Sequence, residues 1–582
     1  MLLTLTVLDP RAAAQPQRHV TIEAAAGTSF GAVRARVGAV TGLPAAELRV
    51  GGRLVDDDDL LGHPPLLRGA LLVAGPADRA GGSTGGTGAV ELRVVSGSGA
   101  GRVVVLGRGQ HVIGRAASAG VRLDDPGVSR AHAVLSVSTD GLYLRDLQPT
   151  NPSHVDGVAL PVEGASVAAG QHLRMGSMTV VVGQADVRPG HHEIVGGEVR
   201  IHRQPRIREA ATSPPVVFPE APGRPEHGRV PLLASLAPLA LSGILAVVLS
   251  SPALLLFALM SPVLLLGQWW SDRRAGRTSY RHQLREHASE LERARRDLRE
   301  STHRDALRRR CEQPDLAYVE AVVRRRGTRL WERRPADGDH LRVRVGTATQ
   351  PAEVHTTGPA GERPQVEDLP ALLDLQGVVG VAGPHVHASS LAGALLLQVA
   401  AWHSPRAVSL HILADTEERA RQWEWAAHLP HARGGEDEAA RISGGAPGVA
   451  SHAAALRTLV ESRRSTSNGH RPPGARTPVD TLVLVDGASA LRAVPGFSEL
   501  LREGPDAGVA LVCLDRDVAS LPVEASATLE IEGSGLDGTI REEDHTIVGV
   551  VPDLPSPGWL ESVSRAMSPY IDATPEIGAG AL

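Results

Sequence analysis

Gly114-Arg115, Ser129-Arg130-Ala131-His132 and Thr150-Asn151 place guanidinium, hydroxyl and amide donors between short runs of alternating apolar residues. Arginine grips a phosphate through two parallel N–H bonds, and hydroxyl and amide groups complete such a site when loops at one end of a rigid frame carry them. The basic residues also set a limit. All 60 residues of the Lys+Arg total are arginine, and the sequence has no lysine. A P-loop NTPase needs a lysine ammonium on the β/γ-phosphates, and a Schiff-base enzyme needs a lysine amine. Neither can be built from this chain alone. The two cysteines, Cys311 and Cys513, form no CxxC pair, and the 24 histidines form no HExxH. A disulfide framework or a metal site is therefore not expected. A formal charge of −5 argues against a nucleic-acid partner.

The elements that must position these residues fall into several parts. With 582 residues, about three or four domains are expected. Residues 1–76 read as a small α+β domain. Leu3, Leu5 and Val7 alternate as a strand, a helix carries Val33, Val37 and Val40, and Gly42 stops it. Residues 77–89 are a Gly-rich linker. Residues 90–185 hold many short alternating runs separated by turn signals, which predicts an all-β sandwich. Residues 186–229 are Pro- and Arg-rich and read as an extended connector.

From Val230 to Trp270 no residue is charged. That run is about 60 Å of helix, twice a bilayer core of about 30 Å. It predicts two transmembrane helices, about 231–249 and 252–270, turning at Ser250-Ser251-Pro252. Arginines flank the run on both sides, which predicts both termini in the cytoplasm. Residues 271–325 read as a membrane-proximal helical stalk. Leu284, Leu291 and Leu298 recur every seven residues, a pattern equally suited to a self-associating coiled coil and to a solvated helix. Residues 326–582 alternate strands and helices, with apolar strands such as Thr481–Asp486, and predict a mostly parallel sheet.

Three resemblances follow from these residues. Glu47–Val50, Gly51-Gly52-Arg53-Leu54 and the acidic turn Asp56–Asp59 make residues 1–76 resemble ubiquitin-like β-grasp domains. Gly114-Arg115, Ser129-Arg130-Ala131-His132, Asp146 to Ser153 and Asp156-Gly157 resemble the forkhead-associated (FHA) domain. That resemblance implies phosphothreonine binding by Arg115, Ser129, Arg130, Thr150 and Asn151, with Gly114, His132 and Gly157 structural. Pro149 and Pro152 depart from the family pattern, and Pro152 removes an N–H and fixes φ. Finally, Leu330-Trp331-Glu332-Arg333-Arg334-Pro335 and Leu341-Arg342-Val343-Arg344-Val345-Gly346 resemble the membrane-anchored FtsK/SpoIIIE-type ATPases of type VII secretion systems (the EssC/EccC-like group). The order of parts matches as well.

That family's phosphate loop falls on Gly383–Ser390. Gly383 and Ser390 keep its ends, but Ala388 stands for the second glycine and Ser389 for the lysine. Asp486 ends a strand as a Mg²⁺-holding aspartate does, and Gly487 follows it where an acid is needed. The fold class expected is thus multidomain: ubiquitin-like β-grasp, FHA β-sandwich, two-helix transmembrane hairpin, helical stalk and a degenerate P-loop-NTPase-like α/β domain. The function expected is a non-enzymatic, two-pass plasma-membrane scaffold of a type VII-like secretion apparatus. Its partners would be a phosphothreonine protein, other membrane components, a motor ATPase and lipid, with self-association left open. No cofactor or metal is expected, weak ATP and Mg²⁺ binding being left open. The alternatives are an ATP-dependent translocase subunit and an FHA adaptor downstream of Ser/Thr kinases.

Overall fold

The computed structural model describes residues 1–10, 17–43, 47–75, 90–206, 214–223, 244, 254–359, 363–434, 439–467 and 480–575. The Gly-rich linker expected at 77–89, the first expected membrane span apart from Ile244, and residues 576–582 lie outside them. The chain divides into two compact units. The first combines Met1–Glu209, Arg309–Gln350 and Val366–Leu582; the second combines Ala210–Arg308 and Pro351–Gln365.

The first unit begins with a five-stranded mixed sheet. Leu71–Ala74 lies in its middle, parallel to Leu2–Leu8, which is antiparallel to the edge strand Gln17–Glu23, with Leu48–Val50 and Arg53–Leu54 on the other side. Side chains alternate along a strand, so Leu3, Leu5 and Val7 all enter one core with Leu72 and with Phe30 and Val37 of the helix Phe30–Thr41. Gly42 ends that helix at φ 67°, its N–H donating to the Gly38 carbonyl, a left-handed cap that glycine adopts without strain.

Residues 90–182 fold into two sheets over one core. One sheet runs Val121–Arg122, Gly109–Gly114, Ala133–Ser138, Gly141–Asp146, Ala165–Val167. The other runs Val158–Ala159, His154–Val155, His172–Met175, Met178–Val182, Val90–Val94, Val103–Leu106. Ile113, Leu135 and Leu144 of the first meet Leu92, Leu173 and Val180 of the second. The connector expected to extend from 186 instead forms a hairpin, His192–Val195 with Glu198–Ile201, whose second strand pairs in parallel with Tyr570–Asp572.

The α/β part is an eight-stranded sheet. Ile442–Gly444, Ser409–Ala414, Thr481–Asp486, Val509–Asp515, Val378–Ala382 and Ala527–Ile531 are mutually parallel, and Gly538–Glu542 and Thr546–Ile547 close it antiparallel. Parallel strands covered on both faces need continuous apolar runs. Accordingly Leu482 and Leu484 join the core of the helix His385–Trp402, while Val483 and Val485 join a second core with Val449 and Phe497. Helix Leu316–Arg325, N-capped by Asp315, buries Leu316, Val319, Val322 and Val323 in the first of these cores.

The sandwich and the α/β part are continuous. Gly97–Ser98 pairs in parallel with Val551–Leu554, Asp553 opposite Gly97 and Leu554 opposite Ser98. Arg344 donates from Nε to Asp553 at 2.9 Å and from Nη2 to the Val95 carbonyl at 2.8 Å, fully buried.

Leu254–Glu312 is one helix of 59 residues, of which the part to Arg308 lies in the second unit, where Val216–Val217 also pairs in parallel with Thr356–Thr357. The expected transmembrane hairpin is overturned: among the described residues no helix is long and apolar enough to cross a membrane. Of the first expected span only Ile244 is described. Residues of the second open the 59-residue helix, whose uncharged part, 254–270, ends at Asp272 and Arg273.

Candidate functional site

The residues picked out for phosphate chemistry converge at one end of the sandwich. Gly114 ends the strand Gly109–Gly114. A Cβ there would lie 2.3 Å from the Arg130 carbonyl, so only glycine lets the two loops close up. Arg115 N–H then donates to the Ser129 carbonyl at 2.9 Å, and Ala116 N–H to the Arg130 carbonyl. Arg115 is exposed, with Nε donating to the Val128 carbonyl at 3.3 Å. Ser129 Oγ accepts from Thr150 N–H at 3.2 Å, which leaves its own proton free to donate outward. Asn151 Nδ2 donates to the Gly127 carbonyl at 3.0 Å. Arg130, Thr150 and Asn151 are exposed beside it. Pro149 and Pro152 do not prevent this docking, because the bonds are made by the two residues between them.

His132 is fully buried, its Nδ1 accepting from Ser129 N–H at 3.1 Å. Burial, which outweighs nearby Asp146 and Asp125, holds its pKa below the usual range. It is therefore a neutral prop that fixes the Ser129 loop. Asp156 (φ 48°) and Gly157 (φ 81°) form the tight turn between His154–Val155 and Val158–Ala159, a geometry that favours Asp-Gly. Asp146 accepts from both the backbone N–H and the hydroxyl of buried Ser153.

A second group lies where a phosphate loop would sit, between the strand Val378–Ala382 and the helix His385–Trp402. Gly383 has φ +146°, and a Cβ there would meet the Ile531 carbonyl at 2.7 Å. Ser389 Oγ donates to the His385 carbonyl at 2.6 Å, and Ser390 Oγ to the Pro555 carbonyl at 2.7 Å. Asp486 is buried. Its oxygens lie 3.0 Å from His385 Nε2, accept from Trp423 Nε1 at 2.9 Å and meet Arg419 Nη1 at 3.4 Å. Both hydroxyls and the carboxylate are thus engaged by the protein itself. Sequence reasoning missed these three partners of Asp486. His385 stands within the quoted loop, but nothing in the spacing links Arg419 or Trp423 to residue 486.

A cleft of about 890 Å³ opens beside this group and is lined from both the sandwich and the α/β part. Arg102, Arg122 and Pro126 stand on one wall and His385, Val386, Ser389 and Trp425 on the other.

Comparison with known proteins places the chain in context. The family model described as the cytoplasmic domain of the inner membrane component of T3SS matches residues 93–186. The chain is 27% identical over 141 residues to the ESX-4 secretion system protein EccC4 of Mycobacterium tuberculosis, covering 20% of this chain and 11% of that protein. It is 31% identical over 124 residues to the ESX secretion system protein EccC of Thermomonospora curvata, covering 18% of this chain and 9% of that protein. The matches thus span about a tenth of these relatives' length. A structure from an analysis of phosphothreonine-dependent FHA domain interactions is 33% identical, with a TM-score of 0.15, over 16% of this chain and 95% of its own. The Thermomonospora curvata EccC ATPases 2 and 3, solved with a signal sequence peptide, are 17% identical, with a TM-score of 0.28, over 41% of this chain and 50% of theirs. The sequence matches support the FHA and EccC resemblances at this coarse level.

Proposed function

We propose that this chain is a non-catalytic component of a type VII (ESX) secretion apparatus. It recruits a phosphothreonine-bearing protein through the loops around Arg115 and docks other components of the apparatus through its α/β part. The observation that carries this reading is the convergence of Arg115, Ser129, Arg130, Thr150 and Asn151 on one end of the sandwich, with Ser129 Oγ already oriented by Thr150. The secretion context is supported by the identity with EccC proteins. A plasma-membrane location enters this proposal through those partners.

Binding of a phosphothreonine peptide, followed by fluorescence anisotropy, tests the reading. Arg115→Ala is expected to weaken it by about 2 kcal/mol, some thirtyfold, because a charge-assisted contact to the phosphate is lost. Equal binding of phosphorylated and unphosphorylated peptide by the wild type would refute it.

The non-catalytic part of the proposal rests on charge. Transfer of a phosphoryl group needs cations on the β/γ-phosphates and a carboxylate free for Mg²⁺. Ser389 supplies no charge, and Asp486 is surrounded by donors. Purified full-length protein should therefore show no Mg²⁺-dependent ATP turnover above background. Turnover abolished by Asp486→Asn would overturn that expectation.

A further inference from the structure

We infer that the cleft between the sandwich and the α/β part is a second recognition subsite, which takes an acidic flanking segment of the same phosphothreonine peptide. This rests on the phosphothreonine reading of the Arg115 loops and extends it by naming what else the peptide carries.

The geometry begins with residues 122–127, which the two sites share. Arg122 pairs with Gly114 in the parallel ladder Val121–Arg122 with Gly109–Gly114, and Leu123 N–H donates to the Gly114 carbonyl. Arg122 therefore lies across the ladder from the residue before Arg115. At the other end of the segment, the Gly127 carbonyl accepts from Asn151, and Pro126 just before it lines the cleft. The segment has the phosphate loops on one flank and the cleft on the other. A peptide chain that leaves the phosphate in that direction reaches the cleft within a few residues, since an extended chain advances about 3.3 Å per residue.

The charge on the sandwich wall selects an anion. Arg102 donates to the Arg122 backbone carbonyl, so its guanidinium is held beside that of Arg122. Asp124, 3.5 Å from Arg122, is the one acid among the described lining residues. Two guanidiniums face one carboxylate, and burial together with Arg122 pushes the Arg102 pKa down. The opposite wall carries no carboxylate and mixes histidine and serine with apolar groups, among them exposed Val386 and half-buried Trp425. A volume of about 890 Å³ is in the range of clefts that hold small ligands or a few residues, about 300–1,000 Å³.

A nucleotide fits the same volume but not the same chemistry. Its triphosphate needs the Ser389 and Ser390 positions and a free carboxylate for Mg²⁺. Those hydroxyls donate to protein carbonyls, and Asp486 is held by His385, Arg419 and Trp423. The cations of the cleft stand instead on the sandwich wall, next to the phosphate loops.

The test uses the full chain and two fluorescein-labelled phosphothreonine peptides, one with Asp/Glu flanks and one with Ala flanks. Wild type is expected to prefer the acidic peptide. Arg122→Glu changes the sandwich wall and Val386→Glu the α/β wall; both side chains are exposed, so folding is preserved. Each should weaken the acidic peptide by about tenfold, since like charges brought together oppose binding, and leave the Ala-flanked peptide unchanged. Arg115→Ala should weaken both. An acidic preference that survives Val386→Glu overturns the inference while leaving the Arg115 reading intact. Displacement of the acidic peptide by Mg²⁺-ATP overturns it in favour of a nucleotide. Absence of any phosphate-dependent binding overturns both readings.

Discussion

Lowering the pH from 7 to 5 should unfold this protein, with the loss of stability steepest below about pH 6.5. Burial, aided by His452 and Arg441, pushes His411 down to about 3. Burial and Arg565 hold His428 at about 3, and burial holds His431 at about 4. His403 and His172 also lie well below the usual range, again chiefly through burial. In the unfolded chain these imidazoles titrate near 6.5. Their contribution is therefore complete above about pH 6.5. It is lost as pH falls toward 3–4, because only the unfolded chain takes up the protons. Each costs about 1.4 kcal/mol per pH unit in that window, against a total stability on the order of 5–15 kcal/mol. Asp553 acts in the opposite sense. Burial raises its carboxyl to about 6 despite Arg344, so between about 4 and 6 the folded state holds a proton that the unfolded chain releases. One opposing carboxyl does not offset five histidines. Melting temperatures measured from pH 7.5 to 4.5 should fall steadily; a flat profile to pH 5 would remove the argument. His172 makes the loss bear on architecture, because it sits in the strand His172–Met175 with Arg310, Arg344 and Arg93 around it. Charging it places a fourth cation in the seam between the sandwich and the α/β part.

Asp553→Ala should destabilise the folded chain by about 3–5 kcal/mol, the cost of leaving a buried charge without its partner. Arg344 then retains the Val95 carbonyl but no carboxylate. The damage should be local to the seam. Gly346 has no room for a side chain, since a Cβ would sit 2.1 Å from the Val551 carbonyl, so the strands cannot readjust around the unpaired guanidinium. The double variant Arg344→Met/Asp553→Leu should recover most of the loss, because apolar groups of similar size replace the pair at little cost. Urea denaturation of the three proteins measures both effects. If the double variant is no more stable than Asp553→Ala, the buried charge is not the cause.

Much of the site was legible in the sequence for a local reason. The loops of the candidate site are short, and Gly114, Arg115, Ser129, Arg130, Thr150 and Asn151 sit at fixed offsets from the strands that hold them. The alternating runs that predict those strands therefore also bring the loops to one end. The parallel strand Thr481–Asp486 was legible for the same reason, as an unbroken apolar run. The uncharged stretch 230–270 misled because lack of charge does not determine how far a helix runs on into charged residues. Among the described residues, its later part belongs to the helix Leu254–Glu312, which continues through many charged residues, and no helix there is long and apolar enough to cross a membrane.

The sequence by itself determined that no lysine reaches any phosphate, that Ser389 stands where such a charge is needed, and that a guanidinium–hydroxyl–amide set belongs to one sandwich. These are statements about residue identity and short spacing, and both are written directly in the chain. Only the tertiary structure decided what Asp486 does and what the sandwich faces. His385, Arg419 and Trp423 reach that carboxylate from separate elements. Gly97–Ser98 meets Val551–Leu554 across more than 450 residues of chain, and Ser98 and Leu554 of that pairing line the cleft. Contacts between residues so far apart depend on the packing of whole layers, which no local pattern encodes.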